Sequence, residues 1–177
     1  MDYYYIVASL PYIEFGHAPP LSEEQFLLQC QGMLSGRKMR EVESILAGRI
    51  EECESGYGCH LVSAETQLRN AVARIRASKR GVDPRPFLRE HARFYGWVEK
   101  LANDAFARDN PRERELALDH ARWHIADELA GVKPFTFGRV LAFAVKLRIA
   151  IRWDRMDKQA GADRVEEFID AQVEKQE

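Results

Sequence analysis

The stretch Asn110–Trp153, NPRERELALDHARWHIADELAGVKPFTFGRVLAFAVKLRIAIRW, constrains this chain more than any other. It reads as two long helices joined by a short aromatic connector. Asn110 suits the N-cap, and Pro111 suits the first helical position, where a missing N–H leaves no bond unmade. Leu118, Ala121, Ile125 and Leu129 recur at helical spacing as one apolar stripe, and Gly131 is a stop signal. Thr136 caps the second helix. Along it Val140, Phe143, Ala144, Leu147 and Ile151 share one face, while Ala142, Val145, Ile149 and Trp153 fall on the opposite one. Lys146 with Arg139, and Arg148 with Arg152, form the polar seams between. A helix that is apolar on two faces packs on both sides, so the segment 136–157 is expected to be the central helix of the fold.

The rest of the chain carries mostly helical signals. Tyr3–Leu10 is aromatic and β-branched, which leaves a strand and a short buried helix both open; Pro11 ends it in either case. Ser22 and Gln25 make a capping box, with Leu21 and Phe26 as a hydrophobic staple, and that helix should end near Leu34, before Gly36. Met39, Val42, Ile45, Leu46 and Ile50 mark the next helix. Gly56 and Gly58 punctuate a loop, after which Ser63 caps a helix with Leu68, Ala71, Val72 and Ile75 as its core face, stopping at Gly81. Pro84 and Pro86 keep the linker Val82–Pro86 from being helical throughout. Phe87, His91, Phe94, Val98, Leu101 and Ala105 then repeat at helical spacing. Gly161 should break the chain, leaving a last amphipathic helix with Val165, Phe168, Ile169 and Val173. Six or seven helices predict an all-α fold, and 177 residues suit a single helical domain over 1–177.

Charge and cysteine usage narrow the function classes. No run is long and apolar enough to span a bilayer, so no direct membrane insertion is expected. Three cysteines (Cys30, Cys53 and Cys59) without a secretory signal favour a reducing, cytoplasmic setting. A net charge of −2 gives no global attraction to nucleic acid. Locally the balance shifts: residues 68–93 carry 8 Lys/Arg against 2 Asp/Glu, whereas residues 1–67 carry 4 against 10. The basic block Arg69, Arg74, Arg76, Lys79, Arg80, Arg85, Arg89 and Arg93 supports two readings. One is a docking face for an acidic protein; the alternative is a nucleic-acid-binding module using segment 69–93.

Motifs for catalysis are sparse. There is no G-x-G-x-x-G, P-loop or G-x-S-x-G, and no catalytic or cofactor-binding residue is assigned. Cys53, Cys59 and His60 offer thiolate and imidazole, but the spacing lacks the second paired arm of a zinc site. His120 and His124 sit one helical turn apart without the glutamate of H-E-x-x-H, since position 121 is alanine. A metal-dependent enzyme using them is the least favoured alternative, and no metal site is expected.

Several segments taken together carry a resemblance. They are Tyr3-Tyr4-Tyr5-Ile6-Val7-Ala8-Ser9-Leu10-Pro11, Pro19-Pro20-Leu21-Ser22, Gln67-Leu68-Arg69-Asn70-Ala71 and Arg76-Ala77. After them come Asn110-Pro111, Leu118-Asp119, Arg122-Trp123, Leu141-Ala142-Phe143 and Lys146-Leu147. In this order they resemble an uncharacterised bacterial family encoded alongside V-type ATPase subunits. That family is in turn distantly similar to the ATPase subunit called C or d, at the top of the membrane rotor. The resemblance implies a non-catalytic accessory or central-stalk protein in a proton-transport complex. It would be peripheral to the membrane through its partners, the stalk or rotor subunits. Arg69, Asn70, Arg76, Arg80, Asp119, Arg122 and Trp123 are the candidate partner-binding residues. Each also has a structural reading: Asp119 and Arg122 can pair at i,i+3 on one helix, Trp123 can anchor a core, and Asn70 can bond a backbone group.

Overall fold

The computed structural model describes the backbone of residues 3–173 and the side chains of residues 3–157. Among the described residues there are seven α-helices and no strand, as the all-α expectation requires. The helices are α1 (Tyr4–Ser9), α2 (Glu23–Cys30), α3 (Gly36–Leu46), α4 (Gly56–Arg80), α5 (Gly96–Phe106), α6 (Pro111–Ala130) and α7 (Phe137–Val173). Short 3-10 turns lie at Ile50–Glu52 and Arg85–Phe87.

The central helix is where the two apolar faces place it. Val140, Leu141, Ala144 and Leu147 of α7 are fully buried, and Ala142, Phe143, Val145, Ile149 and Trp153 are nearly so. Phe143 meets Phe26 of α2 at a centroid distance of 5.1 Å. Trp153, from the other face, reaches Asp119 of α6. Helices α3 and α6 pack most extensively on α7. The helix does not end where Gly161 suggests but continues to Val173. One interior glycine costs a helix about 1 kcal/mol against alanine, and Ala160 and Ala162 beside it are strong helix formers. The apolar spacing of Val165, Phe168, Ile169 and Val173 lies outside the described side chains.

Local capping chemistry operates as read at three points. Ser22 Oγ accepts from the Gln25 amide at 3.2 Å while Gln25 Oε1 accepts from the Ser22 amide at 2.8 Å. Asn110 Oδ1 accepts from the Arg112 amide at 2.9 Å, with Pro111 opening α6. At the far end of α6, Gly131 adopts φ +65°. The N-terminal ambiguity resolves to helix: α1 buries Ile6 and stops before Pro11.

Other boundaries differ. Helix α2 ends at Cys30, short of Leu34, and Gly36 opens α3 instead of separating two helices. Ile50 leaves the α3 stripe for a 3-10 turn. Ser55, not Ser63, caps α4, accepting from the Gly58 amide; Ser63 is buried two turns inside. Gly56 and Gly58, read as loop punctuation, form the first turn of α4. Gly58 is there because of close approach: a Cβ at this position would come 2.6 Å from Cys53 Cβ and 3.2 Å from Glu41 Oε2. Glu41 is itself buried and accepts the Ser55 amide at 2.9 Å, placing a carboxylate at the positive end of the longest helix before α7.

The largest departure concerns residues 87–95. The helical spacing of Phe87, His91 and Phe94 does not produce a helix there, and α5 begins only at Gly96. Phe87 and Phe94 are exposed rather than core. Beyond the Arg85–Phe87 turn the segment runs as an irregular strap along α4, held in a way described next.

Candidate functional site

Two side chains one turn apart on α4 hold the strap. Gln67 donates through Nε2 to the Tyr95 carbonyl at 2.8 Å and accepts the Tyr95 amide at 2.8 Å. Asn70 does the same for Arg89, donating to its carbonyl at 2.7 Å and accepting its amide at 2.9 Å. Each primary amide thus pairs with both backbone groups of one residue, as a neighbouring strand would. Both side chains are buried. Asn70, a candidate partner-binding residue, is therefore an internal clamp. Asn70→Ala should cost roughly 1–3 kcal/mol by leaving the Arg89 backbone groups unpaired. Hydrogen exchange should quicken at residues 88–95 and not in α7; uniform exchange would contradict the clamp.

With the strap in place, a groove of about 460 Å³ forms between the C-terminal half of α4 and the N-terminal half of α6. Arg69, Val72, Ala73, Arg76, Ala77 and Arg80 line it from one stripe of α4. Glu115, Leu118 and Arg122 line it from α6 at i, i+3 and i+7, and Val82 and Phe87 close one end. The floor is apolar and the rim carries four arginines against one glutamate. Arg69 gives one of its contacts to Glu65, at 2.8 Å, and Glu115 is taken by Arg152 at 3.1 Å. Arg76 and Arg80 have no carboxylate partner among the described residues; Arg76 stands 5.8 Å from the Phe106 ring.

Adjoining the groove, and sharing Arg69, Glu115 and Arg122 with it, lies an ion cluster of α4, α6 and α7 built on two buried carboxylates. Asp119, only 1% exposed, accepts Arg122 at 2.7 Å, Arg152 at 2.9 Å and the Trp153 indole N–H at 2.9 Å. Glu65, also buried, pairs with Arg122 at 3.1 Å. Burial alone would push the Arg122 guanidinium down, but Glu65 and Asp119 more than reverse this and hold its pKa above the ordinary value. Arg122 is thus a fixed charge shared between the cluster and the groove rim.

The seven candidate residues consequently divide. Arg69, Arg76, Arg80 and Arg122 converge on the groove. Asn70 and Asp119 are buried in structural roles. Trp123 is 8% exposed and packs edge-on against Phe15 at 5.4 Å, with Lys146 over its ring at 5.4 Å. It faces a different cleft, beside Phe15 and Trp153, whose rim carries Glu113, Asp154 and Asp157. The basic block is not one face. Arg74 pairs with Glu99, Arg85 pairs with Asp83, and Lys79 lies 5.5 Å from the Phe106 ring, which Arg114 also approaches.

Sequence reasoning missed Glu65, Glu115, Arg152 and Phe87 as parts of this region. The i,i+4 spacing of Glu65 with Arg69 was the available signal for Glu65, whereas Glu115 pairs with Arg152 from another helix and gives no local signal.

The sulfur and imidazole groups are dispersed. Cys30 and Cys53 are buried, and burial pushes the Cys53 thiol up to about 12, with Glu41 and Glu52 adding to it. Cys59 is exposed, and His60 Nδ1 lies 2.6 Å from the Tyr95 hydroxyl. His120 stacks edge-on with Phe15 and His124 with Trp97. Among the described residues no group of three or more His, Cys, Asp or Glu side chains is placed to hold a metal ion, and no helix is long and apolar enough to cross a membrane.

A family model described as a protein of unknown function, DUF2764, matches residues 51–176. No curated protein and no solved structure matches the chain. The matched span takes in α4 with its strap, α5, α6 and α7, and so the whole groove and the ion cluster beside it. The chain belongs to the DUF2764 family.

Proposed function

We propose that this protein is a non-catalytic accessory or central-stalk protein of a bacterial V-type ATPase, acting by protein–protein binding. The observation that carries the binding reading is the arginine-rimmed apolar groove. Its floor offers apolar area, and its rim offers charges that select an acidic partner and speed its approach. The ion cluster beside it ties three helices together, which suits a body that holds subunits or transmits force without changing shape. The ATPase setting rests on the resemblance of the ordered segments from Tyr3 to Leu147. In this setting the chain sits at the cytoplasmic side of the membrane, held there by stalk or rotor subunits and not by a span of its own.

The basic segment favours an acidic protein over nucleic acid. Its arginines and lysine point to different neighbours, and Arg74 and Arg85 already carry carboxylate partners. A phosphate track needs a continuous row of free cations.

Deleting the gene in the source cell tests the assignment. The expected result is impaired ATPase assembly and reduced proton pumping in membrane vesicles. Intact assembly and pumping would overturn it.

A further inference from the structure

We propose that the arginine groove takes an acidic amphipathic helix, and that in the isolated protein this helix is the C-terminal segment of a second copy of the chain. The inference deepens the binding reading above by naming the chemistry the groove accepts.

Three observations converge on it. The first is charge. The groove rim sums to +3 from four arginines and one glutamate, and Arg76 and Arg80 lack a carboxylate among the described residues. Residues 158–177 carry 6 Asp/Glu against 3 Lys/Arg, a net of −3. The second is spacing. Val165, Phe168, Ile169 and Val173 fall at i, i+3, i+4 and i+8, one apolar stripe of a helix; at helical spacing Glu166, Asp170 and Asp163 follow one edge of it, Arg164 follows the other, and Glu167 falls opposite. From Arg69 to Arg80 the groove runs roughly 17 Å along α4, and an 11-residue helical piece such as Asp163–Val173 spans about the same. An apolar floor with a basic rim is the complement of an apolar stripe with an acidic edge.

The third observation is reach. Arg112, in the first turn of α6, pairs with Asp157 of α7 at 2.7 Å. By residue 157 the central helix has therefore arrived at the start of α6, and it continues to Val173. The chain's own groove lies in the other direction, back along α6 from Glu115 to Arg122. A continuous helix cannot turn round to fill it, so the segment meets the groove of another copy. The exchange is reciprocal: each copy donates a segment and receives one, so the assembly closes at two. An acidic helix of another protein would compete for the same groove.

Sedimentation of the purified 177-residue chain at low and moderate salt tests this without any ATPase subunit. The expected result is a dimer of the 20.4 kDa chain that weakens as salt rises. Arg76→Glu with Arg80→Glu should give a monomer, as should Glu166→Arg with Asp170→Arg. Combining all four substitutions should restore the dimer. A helical circular dichroism spectrum with a single cooperative melt in each variant shows that the fold persists, the melting temperature falling where the dimer is lost. If a reversal variant fails to fold, Arg76→Gln with Arg80→Gln takes its place and should weaken association about tenfold or more. A wild-type monomer at all concentrations would overturn the proposal, as would a dimer indifferent to the reversals or a pair of reversals that fails to rescue. A monomer that nevertheless loses ATPase subunits on Arg76 and Arg80 reversal would assign the groove to a foreign acidic partner, defeating self-docking while leaving the functional reading intact.

Discussion

Asp119→Ala should destabilise the protein by about 1–3 kcal/mol, the cost of leaving the buried Trp153 indole N–H unpaired and taking one contact from each of Arg122 and Arg152. The carboxylate is 1% exposed and receives Arg122, Arg152 and the Trp153 indole. Alanine leaves Arg122 with Glu65 alone and leaves the Trp153 N–H without an acceptor. It also opens the junction of α6 and α7 beside the groove. Denaturant unfolding measures the loss directly, provided the slope with denaturant stays unchanged. A loss within about 0.5 kcal/mol, ordinary for a surface substitution, would show that Asp119 is not the hub of the cluster.

Leu147→Ala should cost roughly 2–5 kcal/mol, the range for a large-to-small change in a packed core. Leu147 is 0% exposed on the more buried face of α7. Its neighbours one turn away, Phe143 and Ala144, are held between α2 and the rest of the core, so the site has little room to collapse. Thermal and denaturant unfolding report the change. A loss of a few tenths would make α7 peripheral and overturn the architecture.

Local chemistry was legible in the residues themselves. Ser22 with Gln25, and Asn110 with Pro111, announce helix starts because the caps need only neighbours in sequence. The two apolar faces of α7 announce a central position because burial on both sides confines its polar residues to the narrow seams of Lys146 with Arg139 and Arg148 with Arg152. What was not legible depends on contacts distant in sequence. Gly58 looks like a loop residue until Cys53 and Glu41 crowd it. Phe87, His91 and Phe94 keep helical spacing, yet Gln67 and Asn70 claim the backbone of Arg89 and Tyr95 from 19 and 28 residues away. Pro86 also opposes helix formation just before that strap. The basic block was visible as charge, but its division depended on which carboxylates and rings the fold brings alongside. Arg69, Arg76 and Arg80 reach one groove because α4 carries them on one stripe, and Arg122 joins them only through the packing of α6.

The proposed function has a subunit of the V-type ATPase dock in the groove. Affinity purification from the source cell, with cross-linking at low and moderate salt, tests it using the wild-type chain beside the Arg76→Glu, Arg80→Glu variant. The account predicts enrichment of stalk or rotor subunits by the wild type, cross-links within Arg69–Arg93, and loss of both in the variant. No ATPase subunit recovered at either salt would contradict it.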